Sequence, residues 1–199
     1  FRATNYLTPI VWESINDVIV GAKEIMGFLK KVSRLVASEN LPVTWTTPQP
    51  LNFPVQMMCY KKESKRVKTK MGDSIIKLSI QSDTDEIDKR KTAQSICPNL
   101  IHSLDASCLM LAVIKAKDKG VTNFSLIHDS FGCVAPDVAK LSEAIREAFC
   151  EVYEQDVLTN WAMEMKQMLS EKNAKKFPHI PERGNLDLSL VKQSIFFCV

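Results

Sequence analysis

From Val11 to Val36 the apolar residues Val11, Ile15, Val18, Ala22, Ile25, Leu29, Val32 and Val36 recur at alternating spacings of four and three. That period gathers all eight on one side of an α-helix, and a strand has no use for it. The chain must therefore offer a second apolar surface to cover the stripe. Thr8 and Pro9 read as a cap and a first-turn proline, which predicts one helix from there to about Ala37. Pro42, Pro48, Pro50 and Pro54 then break any helix, leaving a proline-rich connection.

Beyond the prolines the period changes to two. Ile76, Leu78 and Ile80 alternate with Lys77 and Ser79, and Gly72-Asp73 suits a two-residue turn. This predicts a hairpin with arms at about 55–70 and 74–80. Its first arm carries Lys61, Lys62, Lys65, Arg66, Lys68 and Lys70 against the single acid Glu63. That ten-residue window holds +5 of charge within a chain of net charge +3, so the remainder sums to −2. Such a concentration suits a phosphate-contacting surface, since each neutralised phosphate releases counterions. A solvated edge strand has the same composition. A projecting two-stranded ribbon is slim enough to enter a DNA groove, which favours nucleic acid.

Asp83, Asp85, Glu86 and Asp88 read as acids gathered at a helix N-terminus. A helix is expected from near Pro98-Asn99, with Ile101, Leu104, Cys108, Leu111 and Lys115 at helical spacing and Gly120 as its end. His102 and Asp105, three apart on an adjoining face, can act on one partner; a merely packed or solvated histidine is the alternative. Residues 123–128 and 131–134 read as a strand and its return, 137–170 as two helices, and the apolar end as a docked tail. The fold class is α+β, mainly helical with two antiparallel β-hairpins. No uncharged apolar run approaches the ~18 residues of a membrane span, and no signal-peptide pattern opens the chain. The six cysteines include no CxxC and read as reduced thiols rather than zinc ligands or disulfides.

His128-Asp129-Ser130 holds the residue types of a hydrolase triad, but adjacent residues on a strand diverge, and a triad needs convergence from separated positions. What remains is a carboxylate, Asp129, at a hairpin tip. Such a group suits Mg²⁺, which takes one or two carboxylates together with substrate phosphates. Two-metal phosphoryl transfer would require a second carboxylate.

The segments Pro98-Asn99-Leu100-Ile101-His102-Ser103-Leu104-Asp105 and Ser125-Leu126-Ile127-His128-Asp129-Ser130-Phe131-Gly132 resemble the C-terminal part of the single-subunit RNA polymerases of bacteriophages and mitochondria. The similarity runs from Ile10-Val11-Trp12-Glu13-Ser14 to the aromatic tail, and Phe131-Gly132 leans toward the phage branch. The resemblance implies a palm-and-fingers part of a right-hand polymerase. Residues 1–57 would be a fingers-type helix and connection, 58–81 a specificity-type hairpin carrying the basic cluster, and 82–199 a palm part with a C-terminal foot. It implies that Asp129 is the motif C aspartate binding the catalytic Mg²⁺, with His128 near the RNA end. His102 and Asp105 would lie beside the nascent base pair, and Phe196, Phe197 and Val199 would form the foot. The implied partners are promoter and template DNA, nascent RNA, nucleoside triphosphates and the upstream polymerase portion, with no membrane. The implied setting is the cytoplasm of a phage-infected bacterium or, alternatively, the mitochondrial matrix.

Two departures matter. Cys108 stands where family members often carry histidine, and motifs A and B, with the other metal aspartate and the NTP-binding lysine, are not in this sequence. The chain by itself is therefore expected to be inactive. Two other readings stay open: a family A DNA polymerase fragment, although Ser130 rather than an acid follows Asp129, and a non-catalytic DNA-binding remnant.

Overall fold

The apolar stripe becomes two helices instead of one. In the computed structural model, which describes residues 2–194 and Phe197, α1 spans Arg2–Val18 and α2 spans Val20–Ser38. They meet at Ile19, whose φ of −111° and ψ of 63° are not helical. Three β-branched residues, Val18, Ile19 and Val20, followed by Gly21, crowd and weaken the helix there. The expected start is also corrected. Pro9 lies inside α1, and Thr8 donates its hydroxyl to the Thr4 carbonyl at 2.8 Å rather than capping. Only the second half of the stripe is covered: Leu29, Val32 and Val36 are buried, whereas Val11, Ile15 and Val18 are exposed.

The proline-rich stretch supplies a third antiparallel pair that the reading of two hairpins lacks. Strand β1 (Val43–Thr46) pairs with β2 (Pro54–Met57), Thr46 opposite Pro54. The pair stands alone, so a proline at the start of an edge strand removes no needed ladder bond. Val43, Trp45 and Met57 enter the main core with Phe28, Leu29, Val32, Val36, Ile96, Leu100, Trp161 and Met165.

Strands β3 (Tyr60–Met71) and β4 (Ser74–Ile87) form the long ribbon, joined at Gly72-Asp73 with Gly72 at φ 62°. Asp83, Asp85 and Glu86 lie in β4, not at a helix start. Asp83 stands opposite Lys62 and Glu86 is ion-paired to Lys61, so both face the basic arm across the strands. Asp88 alone caps, accepting from the amides of Arg90 and Lys91 at 3.0 and 2.9 Å. Helix α3 accordingly runs from Lys89 to Asp118 with Pro98 inside it. Asn99 Nδ2 donates to the Ser95 carbonyl at 2.7 Å, a local bond one residue beyond the proline. Gly120 ends the helix at φ 87°: the Val121 and Gly120 amides reach the carbonyls of Ala116 and Lys117 at 3.0 and 2.9 Å. By length and composition α3 could cross a membrane. Here its apolar residues Leu100, Leu104, Leu111, Ala112 and Ala116 are buried in the protein core.

Strands β5 (Phe124–Ile127) and β6 (Ser130–Cys133), the short turn Ala135–Asp137, α4 (Val138–Glu154) and α5 (Val157–Met168) follow the expected order. Helices α6 (Glu171–Ala174) and α7 (Ser189–Gln193) complete the chain. Glu39, at the end of α2, ties down α6: its carboxylate accepts from the Ser170 amide at 3.0 Å, the Ser170 hydroxyl at 2.6 Å and Asn173 Nδ2 at 2.6 Å. These bonds, led by the Ser170 hydroxyl, hold the Glu39 carboxyl below its ordinary value. A lowered folded-state pKa means the contribution is fully present above the unfolded value and is lost as pH falls through the folded one. The Glu39→Gln variant should therefore flatten the acid limb of a Tm-against-pH curve; an unchanged acid limb would refute this.

Candidate active-site cleft and nucleic-acid ribbon

The register Ile127 opposite Ser130 leaves His128 and Asp129 as the two turn residues of the β5–β6 hairpin. His128 sits at φ 54° whereas Asp129 does not have positive φ. A positive φ at a tight-turn position normally belongs to glycine. Holding a β-carbon-bearing residue in the left-handed region costs about 1–2 kcal/mol, and such strain tends to persist at functional sites. The hairpin is anchored from beneath, where Phe131 packs against the clusters of Ala112, Ala144 and Ala148, and Phe124 and Cys133 against the second of these. A β-carbon on Gly132 would lie 3.2 Å from the Ser125 carbonyl oxygen, so the two strands approach closely there.

Opposite this tip lies one side of α3. His102, Asp105, Ala106, Leu109 and Met110 fall at spacings of three, four, seven and eight, and with His128 and Asp129 they line a cleft of about 700 Å³. The structure thus brings together four residues that the sequence offered as two separate pairs. All four are exposed. The helix behind them is fixed by Trp45, whose Nε1 donates to Ser103 Oγ at 3.0 Å, and by Ser107, whose hydroxyl donates to the Ser103 carbonyl at 2.7 Å. Cys108 is not among the residues that line the cleft and is half-buried against the Leu111 and Ala148 cluster. Tyr153 of α4 was not singled out from the sequence. Burial pushes its hydroxyl up to about 12, with lesser contributions from Cys108 and Asp105, so it stays neutral beside the cleft helix.

Among the described residues no group of three His, Cys, Asp or Glu is placed to hold a metal ion. Asp129 offers one open carboxylate. That donor fits Mg²⁺, which retains waters and takes phosphate oxygens, but it fits only as part of a larger ligand set.

The ribbon sorts the predicted cations. Directly opposed residues share a face, so Lys62, Arg66, Lys68 and Lys70 lie on one side, together with Lys77 opposite Lys68. Lys65 lies on the other, with Val67, Ile76, Leu78 and Ile80. Lys61 is ion-paired to Glu86; that hydrogen-bonded partner raises the Lys61 pKa and lowers that of Glu86. Lys77, read in sequence only as part of the polar alternation, is the cation the charge count missed. Among the described residues the strands β3 and β4 have each other as their only substantial neighbours, so both faces of the ribbon are open.

Of the foot residues, Phe196 and Val199 lie outside the described residues. Phe197 packs edge-on against Phe149, centroids 5.0 Å apart, with the Arg146 guanidinium 5.5 Å from its ring centre. Arg146 also donates to the carbonyls of Val191, at 2.7 Å, and Ser194. Truncating it (Arg146→Ala) should speed proteolysis beyond Leu188 with little change in Tm; an unchanged cleavage rate would mean that this side chain does not hold the tail.

Comparison with known sequences gives this arrangement its context. Residues 1–176 match the DNA-dependent RNA polymerase family. Over 197 residues the chain is 37% identical to DNA-directed RNA polymerase 2, chloroplastic/mitochondrial, of Arabidopsis thaliana, covering 99% of this chain and 18% of that protein. It is 34% identical to T7 RNA polymerase of Escherichia phage T7 (98% and 24% covered) and 31% identical to the DNA-directed RNA polymerase of Enterobacteria phage K11 (98% and 23%). The chain therefore spans less than a quarter of the length of these relatives. Organellar and phage enzymes stand at similar identities, so the lean toward phage at Phe131-Gly132 remains a local feature. The match across nearly all of the sequence shows that the chain belongs to the single-subunit DNA-dependent RNA polymerase family.

Proposed function

We propose that this chain forms the C-terminal part of a DNA-directed RNA polymerase, the part that bears motif C, and that it works together with the remainder of such an enzyme. The observation that carries the reading is the cleft in which Asp129 and His128, on a strained turn, face His102 and Asp105 on α3. In the reaction an RNA 3′-hydroxyl oxygen attacks the α-phosphorus of a ribonucleoside triphosphate and gives up its proton to solvent, the bond to the β-phosphate bridging oxygen breaks, and pyrophosphate leaves. Asp129 would hold Mg²⁺ jointly with a carboxylate from outside these 199 residues; when bound, the ions polarise the phosphate and stabilise the attacking and leaving oxygens. His128 lies next to the RNA end in this reading, and His102 and Asp105 border the nascent base pair. Their task is positioning, which dominates catalysis of phosphoryl transfer. Residues 1–57 and 82–199 then supply fingers-type and palm parts, and the ribbon at 58–81 meets promoter DNA.

The test is template-directed extension by the complete polymerase in Mg²⁺, offered ribo- or deoxyribonucleoside triphosphates. RNA synthesis with ribonucleotides is expected. Preferential deoxyribonucleotide incorporation would instead indicate a family A DNA polymerase. Salt-dependent DNA binding with no synthesis would indicate a non-catalytic DNA-binding protein.

A further inference from the structure

Helix α1 carries an apolar side that the other described residues leave exposed. Leu7, Val11, Ile15 and Val18 recur at helical spacing and are 53%, 53%, 44% and 83% exposed. With Trp12 the first three line a groove of about 470 Å³. In α2 the continuation of this stripe, Leu29, Val32 and Val36, is buried, and among the described residues α2 is the only element in substantial contact with α1. A contiguous apolar patch of this kind marks a contact surface.

The charges of the helix narrow the occupant. Apart from Arg2 at its first position, α1 carries no Lys or Arg, and its other charged residues are Glu13 and Asp17. A nucleic-acid backbone requires cations, as does an anionic lipid surface, so neither fits. The family match includes α1, which places the helix within the shared region of the family and not on an appended tail. That region is only 18% and 24% of the length of the plant and T7 relatives, so most of such a protein lies outside it.

We propose that the Leu7–Val11–Ile15–Val18 side of α1 docks into an apolar protein surface contributed by the part of the polymerase outside these 199 residues. The proposal rests on the polymerase reading above. It assigns α1 the job of joining the cleft-bearing core to that other part, with the break at Ile19 between the docked helix and the core helix α2.

The test uses the complete polymerase, with Ile15→Cys and Glu13→Cys introduced separately. Glu13 lies on the opposite side of α1, so it reports the helix's own accessibility. Each variant is reacted with a charged maleimide, and labelling at that residue is read by peptide mass spectrometry. Docking predicts that Ile15→Cys reacts at least about tenfold more slowly than Glu13→Cys, since modification then needs a local opening. Equal rates in an enzyme that still makes RNA would overturn the docking surface and leave the polymerase reading intact. Protection that disappears on dilution, in step with a halving of mass by sedimentation, would mean that a second copy covers α1 and would overturn the proposal. Protection in a complete protein unable to make RNA would overturn the polymerase reading on which the proposal rests.

Discussion

A polymerase carrying Asp129→Asn loses nucleotide addition by about three orders of magnitude, the loss expected when several kcal/mol of transition-state charge stabilisation is withdrawn. Promoter binding and Tm should stay unchanged. The reasoning is local. Asp129 is exposed at the tip of a two-residue turn, outside the paired residues of the β5–β6 ladder. The hairpin is held by Phe131, Phe124 and Cys133, not by the tip. Asparagine keeps the shape and the turn preference while removing the anionic oxygen a divalent cation needs. Single-turnover extension of a preannealed RNA primer on a DNA template reads the effect directly. Addition within about tenfold of the parent enzyme would sink the assignment of Asp129, because no metal-bound carboxylate is that dispensable.

The second large effect concerns the ribbon. Arg66, Lys68 and Lys77 share one face, and no side-chain hydrogen bond or ion pair within the described residues engages them. Replacing all three with alanine should lower the slope of log K against log salt for duplex DNA by about 2.7, at roughly 0.9 per phosphate contact. Removing Lys61 and Lys65 should change the slope far less, because Lys61 already pairs with Glu86 and Lys65 lies on the apolar face. The comparison separates a face from a charge count. Equal losses from the two sets would mean that only net charge matters and that the ribbon has no binding side. Because the ribbon stands apart from the core, neither variant should alter Tm appreciably.

Legibility in the sequence followed how local the deciding interactions were. The Gly72-Asp73 turn, the stop at Gly120 and the placement of Asp129 at a tip each depend on a few neighbouring residues, and the structure has them where they were read. The start of α3 did not follow. Its acids are drawn into β4 by the basic arm opposite, a cross-strand effect invisible along the chain, and Pro98 sits inside a helix whose cap is ten residues upstream at Asp88. The β1–β2 pair was missed because four prolines dominate that stretch, while Val43, Trp45 and Met57 are inserted into a core that only the folded chain defines. In α1 and α2 the period was right but its continuity was not, since β-branched crowding at 18–20 outweighed the stripe. For the cleft, sequence provided two pairs of residues and the resemblance gave them roles. Their common placement depends on how α3 and the β5–β6 hairpin pack, through Phe131 and the alanines of α3 and α4.

The central claim is that the β5–β6 tip and the His102–Asp105 side of α3 surround one metal-dependent reaction centre. The most direct measurement replaces Mg²⁺ with Fe²⁺ in the complete polymerase and maps where locally generated hydroxyl radicals cut the polypeptide. The account predicts cuts at two places in this chain, around residues 127–130 and around 102–106, both suppressed by excess Mg²⁺ and the first lost in Asp129→Asn. Cleavage confined to other segments, or unaffected by Mg²⁺, would contradict it.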